Sequence, residues 1–270
     1  MTLLTSTDWL NCYPSLWKGT IVPESMAHPA KYSSRLIRRI YEHMTEEGWL
    51  KRGDHVLDPF GGVALGALDA MRFGLHWNGV ELEEKFHTLG NQNIASWISR
   101  FGSLPNWGSA HLMNGDSRRL LELLNGSDID CTVSSPPYAD SISNDAYGDS
   151  TGQLGNESGD DFWLAARQIV DQVYIAIKPG GHAVWVVKNY VKEKQIVPFT
   201  DQWRQLCKAA GFETLHEHHA MLVHHRGTQH TLEGGMVHHQ TESKSFFRRL
   251  AEKKGSPRID YETVFCMVKQ

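Results

Sequence analysis

The sequence predicts an α/β fold: a mostly parallel sheet with helices packed on both faces. Short apolar runs alternate with stretches of helical periodicity over most of the chain. The chemistry-bearing residues fall just after the apolar runs, where an open parallel sheet binds its ligands. A chain of 270 residues, 40% of them hydrophobic, has the material for one large domain, or one domain with a modest extra lobe.

Residues 1–30 read as an irregular segment, because Pro14, Pro23 and Pro29 interrupt any long helix. From Ser33 the pattern turns helical: Leu36, Ile37, Ile40, Tyr41 and Met44 recur on one face, Ser33 or Ser34 is placed to cap it, and Gly48 and Gly53 close it. The run HVLD from His55 to Asp58 is a strand that enters a glycine turn, and Ala64–Phe73 is a helix. WNGVELE (77–83) is the next strand, Glu84–Arg100 a helix, and Asn114–Ser117 lies just past a third strand. DIDCTVSSPPY (128–138) is a fourth strand, and 139–160 is a polar loop rich in Ser, Gly, Asp and Asn. A helix over 162–177 ends at Lys178-Pro179-Gly180-Gly181. The strand HAVWVVKNY and the helix FTDQWRQLCKAAGF follow, and the tail holds two or three strands. Three regions result: 1–30, the α/β unit 31–213, and 214–270, which supplies the last strands and a possible target-reading surface.

Composition excludes several classes. The net charge of −4 does not advertise nucleic acid, although a local basic patch would suffice for phosphate. Cys12, Cys131, Cys207 and Cys266 form no CxxC pair, against a disulfide scaffold or a thiolate zinc site. No run approaches the roughly 18 apolar residues of a membrane span, and the N-terminus lacks a secretory pattern. A reduced, cytoplasmic protein is the expectation.

The first chemical constellation is Asp58-Pro59-Phe60-Gly61-Gly62, between a strand and a helix. Glycines let the backbone approach a ligand, and a helix N-terminus favours an anionic group. Glu81 ends the next strand about 20 residues on, where an acid can grip ribose hydroxyls. Asp116, after the third strand, can accept from an adenine amino group. A tight turn and solvated acids are the bland reading of each feature alone; three acids at successive strand ends argue against it.

The second constellation is Ser134-Ser135-Pro136-Pro137-Tyr138. Two prolines end a ladder, because neither has an N–H to give. The Ser135 hydroxyl and the Pro136 carbonyl are suited to accept the two protons of an exocyclic amine. Tyr138 offers a face on which an extruded base can stack.

The stretch from His28 to Phe86 resembles the amino-methyltransferases that act on DNA, and the likeness extends over roughly residues 28–190. It rests on DPFGG, on the His28-Pro29-Ala30-Lys31 segment before it, and on the later Ser-Pro-Pro-Tyr. The resemblance implies a Rossmann-like, class I fold with a seven-stranded, mostly parallel sheet, and S-adenosylmethionine as cofactor. It implies that Asp58, Pro59, Phe60, Gly61 and Gly62 shape the methionine pocket with Lys31, Tyr32 and Ser33. Glu81 and Leu82 would lie at the ribose, and Asp116 and Ser117 near the adenine. Ser135, Pro136, Pro137 and Tyr138 would be catalytic. The sequence departs from the family's loop at Ala64, where a glycine is usual.

Ser-Pro-Pro-Tyr resembles the form typical of cytosine-N4 enzymes, whereas adenine-N6 enzymes more often carry Asp or Asn in place of Ser135. Cytosine N4 in double-stranded DNA is therefore the first expectation. Adenine N6 and an RNA base amine are the alternatives, and a non-catalytic binder that keeps the fold is a third reading. Cytosine C5 is disfavoured because no cysteine follows a proline. A restriction-enzyme counterpart and a bacterial or phage origin follow from the resemblance alone.

Target reading has two candidate regions: the acidic loop 139–160, and residues 214–260. The latter holds His216, His218, His219, His224, His225, His230, His238 and His239, followed by a basic helix pattern, SFFRRLAEKKG. Histidine this dense invites a metal, but no HExxH-like ligand spacing accompanies it, so a surface facing phosphates or bases is preferred and no metal is expected. Within a strand, His218 and His219 would face opposite ways. Trp9, Tyr13 and Trp17 are expected to pack the leading segment onto the core, in preference to stacking bases.

Overall fold

The computed structural model describes residues 5–13, 17–28, 33–126, 128–138, 154, 159–230, 236–243 and 246–270. In chain order the elements are β1 (Thr5–Trp9), α1 (Ser34–Glu46), β2 (His55–Asp58), α2 (Leu65–Arg72), β3 (His76–Glu81) and α3 (Glu84–Phe101). Then come β4 (Ser109–Asn114), α4 (Leu120–Leu124), β5 (Ile129–Ser134), α5 (Gly159–Ala176), β6 (Ile177–Val187), β7 (Tyr190–Lys192) and β8 (Gln195–Val197). The chain ends with α6 (Phe199–Ala210), β9 (Phe212–Met221), β10 (Val223–His230), β11 (Met236–Glu242), α7 (Phe246–Lys253) and β12 (Tyr261–Lys269). Among the described residues no helix is long and apolar enough to cross a membrane.

One sheet of eight strands, in the order β1-β9-β12-β6-β5-β2-β3-β4, organises the molecule. β4, β3, β2, β5 and β6 run parallel, and β12 enters antiparallel between β6 and β9. The α/β reading holds, with one strand more than the seven expected. The extra strand is β1, which pairs parallel with the outer edge of β9 from Thr5↔His216 to Trp9↔Ala220. Part of the segment read as irregular is thus a strand, ordered by a partner more than two hundred residues away. The tail carries four strands, since β10 and β11 form a separate antiparallel hairpin.

The helices follow from their patterns. α1 buries Leu36, Ile37, Ile40, Tyr41 and Met44 on one face, each such side chain adding about 1.5–3 kcal/mol of burial. Its N-cap is Ser33, with extended backbone and no capping bond from its side chain. α6 ends on Gly211 at φ 115°, a left-handed C-terminal stop that glycine takes without a Cβ clash. Within β3, a Cβ on Gly79 would lie 2.1 Å from the Trp77 ring, so glycine there is what lets the indole fold across the strand. As expected, Trp9 and Trp17 are buried, and Tyr13 packs against the same core.

Candidate functional site

Four neighbouring parallel strands end on one rim of the sheet, and their tips are tied to the glycine loop by side chains. Ser134, the last residue of β5, donates its hydroxyl to Asp58 Oδ1 of β2 at 2.6 Å. Glu81, at the tip of β3, accepts from the Gly62 amide through Oε2 at 2.9 Å and from the Glu83 amide through Oε1 at 2.8 Å. Ser117, past β4, donates to the Pro59 carbonyl at 2.6 Å. The strand order β5-β2-β3-β4 thereby brings Asp58, Pro59, Gly62, Glu81, Ser117 and Ser134 into one cradle.

The loop conformation follows from residue types. Gly61 sits against the Val80 backbone, where a Cβ would be 3.2 Å from its carbonyl oxygen. Gly62 takes φ 53° with the His28 ring beneath it, and His28 meets Phe86 edge-on at 4.4 Å. Ala64, the departure from the family's glycine, is also left-handed, at φ 62°. An alanine there keeps a conformation that costs L-residues about 1–2 kcal/mol. Ala64 is fully buried, N-caps α2, and donates its amide to the Gly61 carbonyl at 2.9 Å.

Two carboxyls in the cradle are pushed toward neutrality. Burial raises Asp58 to about 6, against the bonds from Ser134 and the Phe60 amide, which lower it. Burial likewise raises Glu81 to about 7, opposed by the Glu83 and Gly62 amides. Each Glu81 oxygen accepts one amide and keeps a second lone pair, an acceptor pair to which the two hydroxyls of a vicinal diol can donate. Asp116 is differently engaged: it accepts from the Arg118 amide at 2.9 Å, and the Arg118 guanidinium spans both of its oxygens. An adenine amino group would have to share that carboxylate.

After Ser134 the chain leaves the sheet through Ser135, Pro136, Pro137 and Tyr138, of which Pro136 is buried. The Tyr138 ring meets Phe199 edge-on at 5.0 Å and Tyr190 at 6.1 Å. Phe60 of the glycine loop joins the same apolar cluster through Trp203, 6.4 Å away. The Ser-Pro-Pro-Tyr segment and the glycine loop therefore border one apolar cluster. Sequence reading missed Phe199 and Tyr190. The signal was present, since both follow the apolar strand β6, on the ligand-bearing rim. Asn189 orders that turn by accepting from the Thr200 amide at 2.9 Å. Lys188 pairs with Glu262 at 2.8 Å, and Glu262 also accepts from the Tyr13 hydroxyl at 2.7 Å.

Ser33 is buried and Leu82 half-buried, both beside the cradle's elements. Lys31 and Tyr32, assigned to the methionine side, lie outside the described residues, as does nearly all of the polar loop 139–160. The histidines of the tail separate: His218 is buried beneath α1, while its neighbour His219 faces the other way and stacks on Tyr261 at 4.1 Å.

No protein-family model matches this sequence, and no curated protein matches it. Shape does find relatives. The structure is similar to TrmN from Thermus thermophilus, with a TM-score of 0.51 and 15% identity over 92% of this chain and 52% of that one. The fold is the class I methyltransferase fold. It is similar also to magnesium protoporphyrin IX methyltransferase from Synechocystis with bound SAH (TM-score 0.50, 10% identity, 88% of this chain and 83% of the other). The precorrin 8W decarboxylase of Methanobacterium thermoautotrophicum shares it too, at TM-score 0.51 and 13% identity over 93% and 98% of the two chains. This chain spans about half the length of the TrmN chain.

Proposed function

We infer that this chain is an S-adenosylmethionine-dependent methyltransferase acting on the exocyclic amine of a nucleobase in double-stranded DNA, cytosine N4 foremost. The observation that carries the reading is the 2.6 Å bond from Ser134 to Asp58, which fastens the root of Ser-Pro-Pro-Tyr to the glycine loop. The residues suit the cofactor. Glu81 offers two acceptor positions for ribose hydroxyls, and neither Gly61 nor Gly62 adds a side chain of its own to the loop. Asp58, Phe60 and Gly62 would hold the methionine part, and Ser117 would lie at the adenine. When bound, the cofactor supplies an electrophilic methyl group.

The chain's own residues have to make a poor nucleophile attack. The lone pair of an exocyclic amine is delocalised into the ring. Acceptance of its two protons by the Ser135 hydroxyl and the Pro136 carbonyl favours a tetrahedral nitrogen whose lone pair points outward. Tyr138, steadied by Phe199 and Tyr190, offers its face to the extruded base. Fixed placement supplies most of the acceleration, and no strong base is needed before attack.

The test is incubation with methyl-labelled cofactor and duplex DNA, followed by digestion and nucleoside mass spectrometry. Label in N4-methylcytosine is expected. Label in N6-methyladenine would reassign the base, and label confined to RNA, or to no base, would overturn the reading.

A further inference from the structure

The strand β9 and the helix α1 bring together a group of histidines that the proposed reaction does not use. His43 of α1 and His218 of β9 are 5% and 3% exposed. Their Nε2 atoms lie 3.1 Å apart, and His216 Nδ1 approaches the same His43 nitrogen at 3.2 Å. Cys266 of β12, directly across from His216, is buried with them. One ligand atom each from His43, His218 and Cys266 falls within a mutual 4.8 Å. Trp9 stacks on His218 at 4.3 Å and Trp49 meets His43 edge-on at 5.3 Å, closing the group from above.

A ring nitrogen carries one proton or one lone pair, never both, so His43 Nε2 can make one well-directed hydrogen bond. It has two ring-nitrogen neighbours. The outer nitrogens of the rings already face oxygens: His218 Nδ1 is 2.6 Å from the Thr7 hydroxyl, and His43 Nδ1 is 3.9 Å from a Glu47 carboxylate oxygen. With the outer nitrogens protonated toward those oxygens, the inner ones are lone pairs aimed at one another. That is the arrangement in which outer partners orient metal-binding imidazoles. Two nitrogens on one tetrahedral zinc-like ion, each about 2.0 Å from it, stand roughly 3.3 Å apart, close to the spacing here.

We propose that His43, His218 and Cys266 bind a borderline divalent cation of the zinc class. The nitrogen and sulfur donors select such an ion over magnesium or calcium. On binding, the Cys266 thiol yields its proton to solvent and the thiolate takes the metal. The ion would pin β9 and β12 to α1. Cys266 pairs with Val184 of β6, one position from Trp185, the partner of Ser134, so the ion would lie near that level of the sheet, with Val184 and Trp185 in the two different core clusters.

The test uses the whole chain, free of any affinity tag, equilibrated with zinc chloride, desalted and measured by elemental mass spectrometry. About one zinc per chain is expected, with loss of most of it in His218→Gln and in Cys266→Ser. Cys207→Ser, altering a buried thiol outside the group, should keep it. Cobalt substitution in the parent chain should give a thiolate-to-metal band in the near ultraviolet. Failure of the parent chain to retain zinc, or a cobalt complex without that band, overturns the site without requiring any variant to fold. Zinc retained in full by both variants overturns it as well.

Discussion

Glu81 gives the sharpest test of the cofactor cradle. Its carboxyl is buried and raised to about 7, so near neutral pH about half of the free chains carry it protonated. Ribose hydroxyls would donate to the two lone pairs that the Gly62 and Glu83 amides leave open, and bonds to the charged form lower an acid's pKa. A drop of one unit, worth about 1.4 kcal/mol, would leave roughly a tenth of the carboxyls protonated. Binding at pH 7 should then release about 0.4 proton. Calorimetry in two buffers of different ionisation enthalpy reads that number directly. Glu81→Gln should abolish the release. It should also weaken the cofactor by about 1.5–3 kcal/mol, or roughly tenfold to a hundredfold, because an amide can no longer serve both backbone N–H groups and the diol. The sign for stability is fixed by the same shift. An acid whose folded pKa lies above its unfolded value favours the folded chain while protonated. The ligand-free protein should therefore lose that contribution as pH rises from about 4.5 to about 7. A binding enthalpy independent of buffer at pH 7, or proton uptake, would refute the argument.

Ser134→Ala leaves Asp58 Oδ1 with the Phe60 amide alone and should cost about 1–3 kcal/mol in urea unfolding at pH 8. The Ser134 bond lowers Asp58, so the deficit should shrink below pH 6, where the carboxyl is neutral in the parent chain as well. Tyr138→Ala should lower kcat/KM by about tenfold to a hundredfold through lost stacking, with cofactor affinity unchanged in equilibrium binding. Gly90→Ala would set a Cβ 2.4 Å from Leu112 Cδ2 and 3.3 Å from the Gly62 carbonyl oxygen. It should destabilise by about 1–3 kcal/mol and weaken cofactor binding as the glycine loop shifts, both measurable by thermal melts with and without cofactor.

What the sequence made legible was whatever depends on local pattern. The periodicity of Leu36, Ile37, Ile40, Tyr41 and Met44 is enough to draw α1, because a helix buries one stripe. Asp58, Glu81, Ser117 and Ser134 were findable because they follow short apolar runs, and parallel strands share one rim. β1 was not legible: Thr-Ser-Thr-Asp-Trp has little hydrophobic signal, and its order comes from the edge of β9. The histidines misled for a related reason. His216, His218 and Ala220 alternate onto the face under α1, but polar residues in alternation read as a surface strand until His43 and Trp49, from another element, are seen to cover them. Phe199 and Tyr190 carried the same signal, since both follow the apolar strand β6, but their contact with Tyr138 depends on β6 lying beside β5 in the sheet.

The edge strand also bears on the rim that carries Ser-Pro-Pro-Tyr. Had β9 ended the sheet, its outer side would be an open ladder. With β1 in place, that ladder is paired and the chain runs on to Tyr13, whose hydroxyl bonds Glu262 at the start of β12. Glu262 in turn holds Lys188, the residue just past β6, and the next residue, Asn189, caps the helix that brings Phe199 to Tyr138. Each link is a short hydrogen bond or a ring contact between half-buried or buried groups, so displacement at one end is resisted at the other. The N-terminal segment is thus linked to the turn that carries Phe199. Its aromatics pack the segment onto the core, where Trp9 and Trp17 are buried.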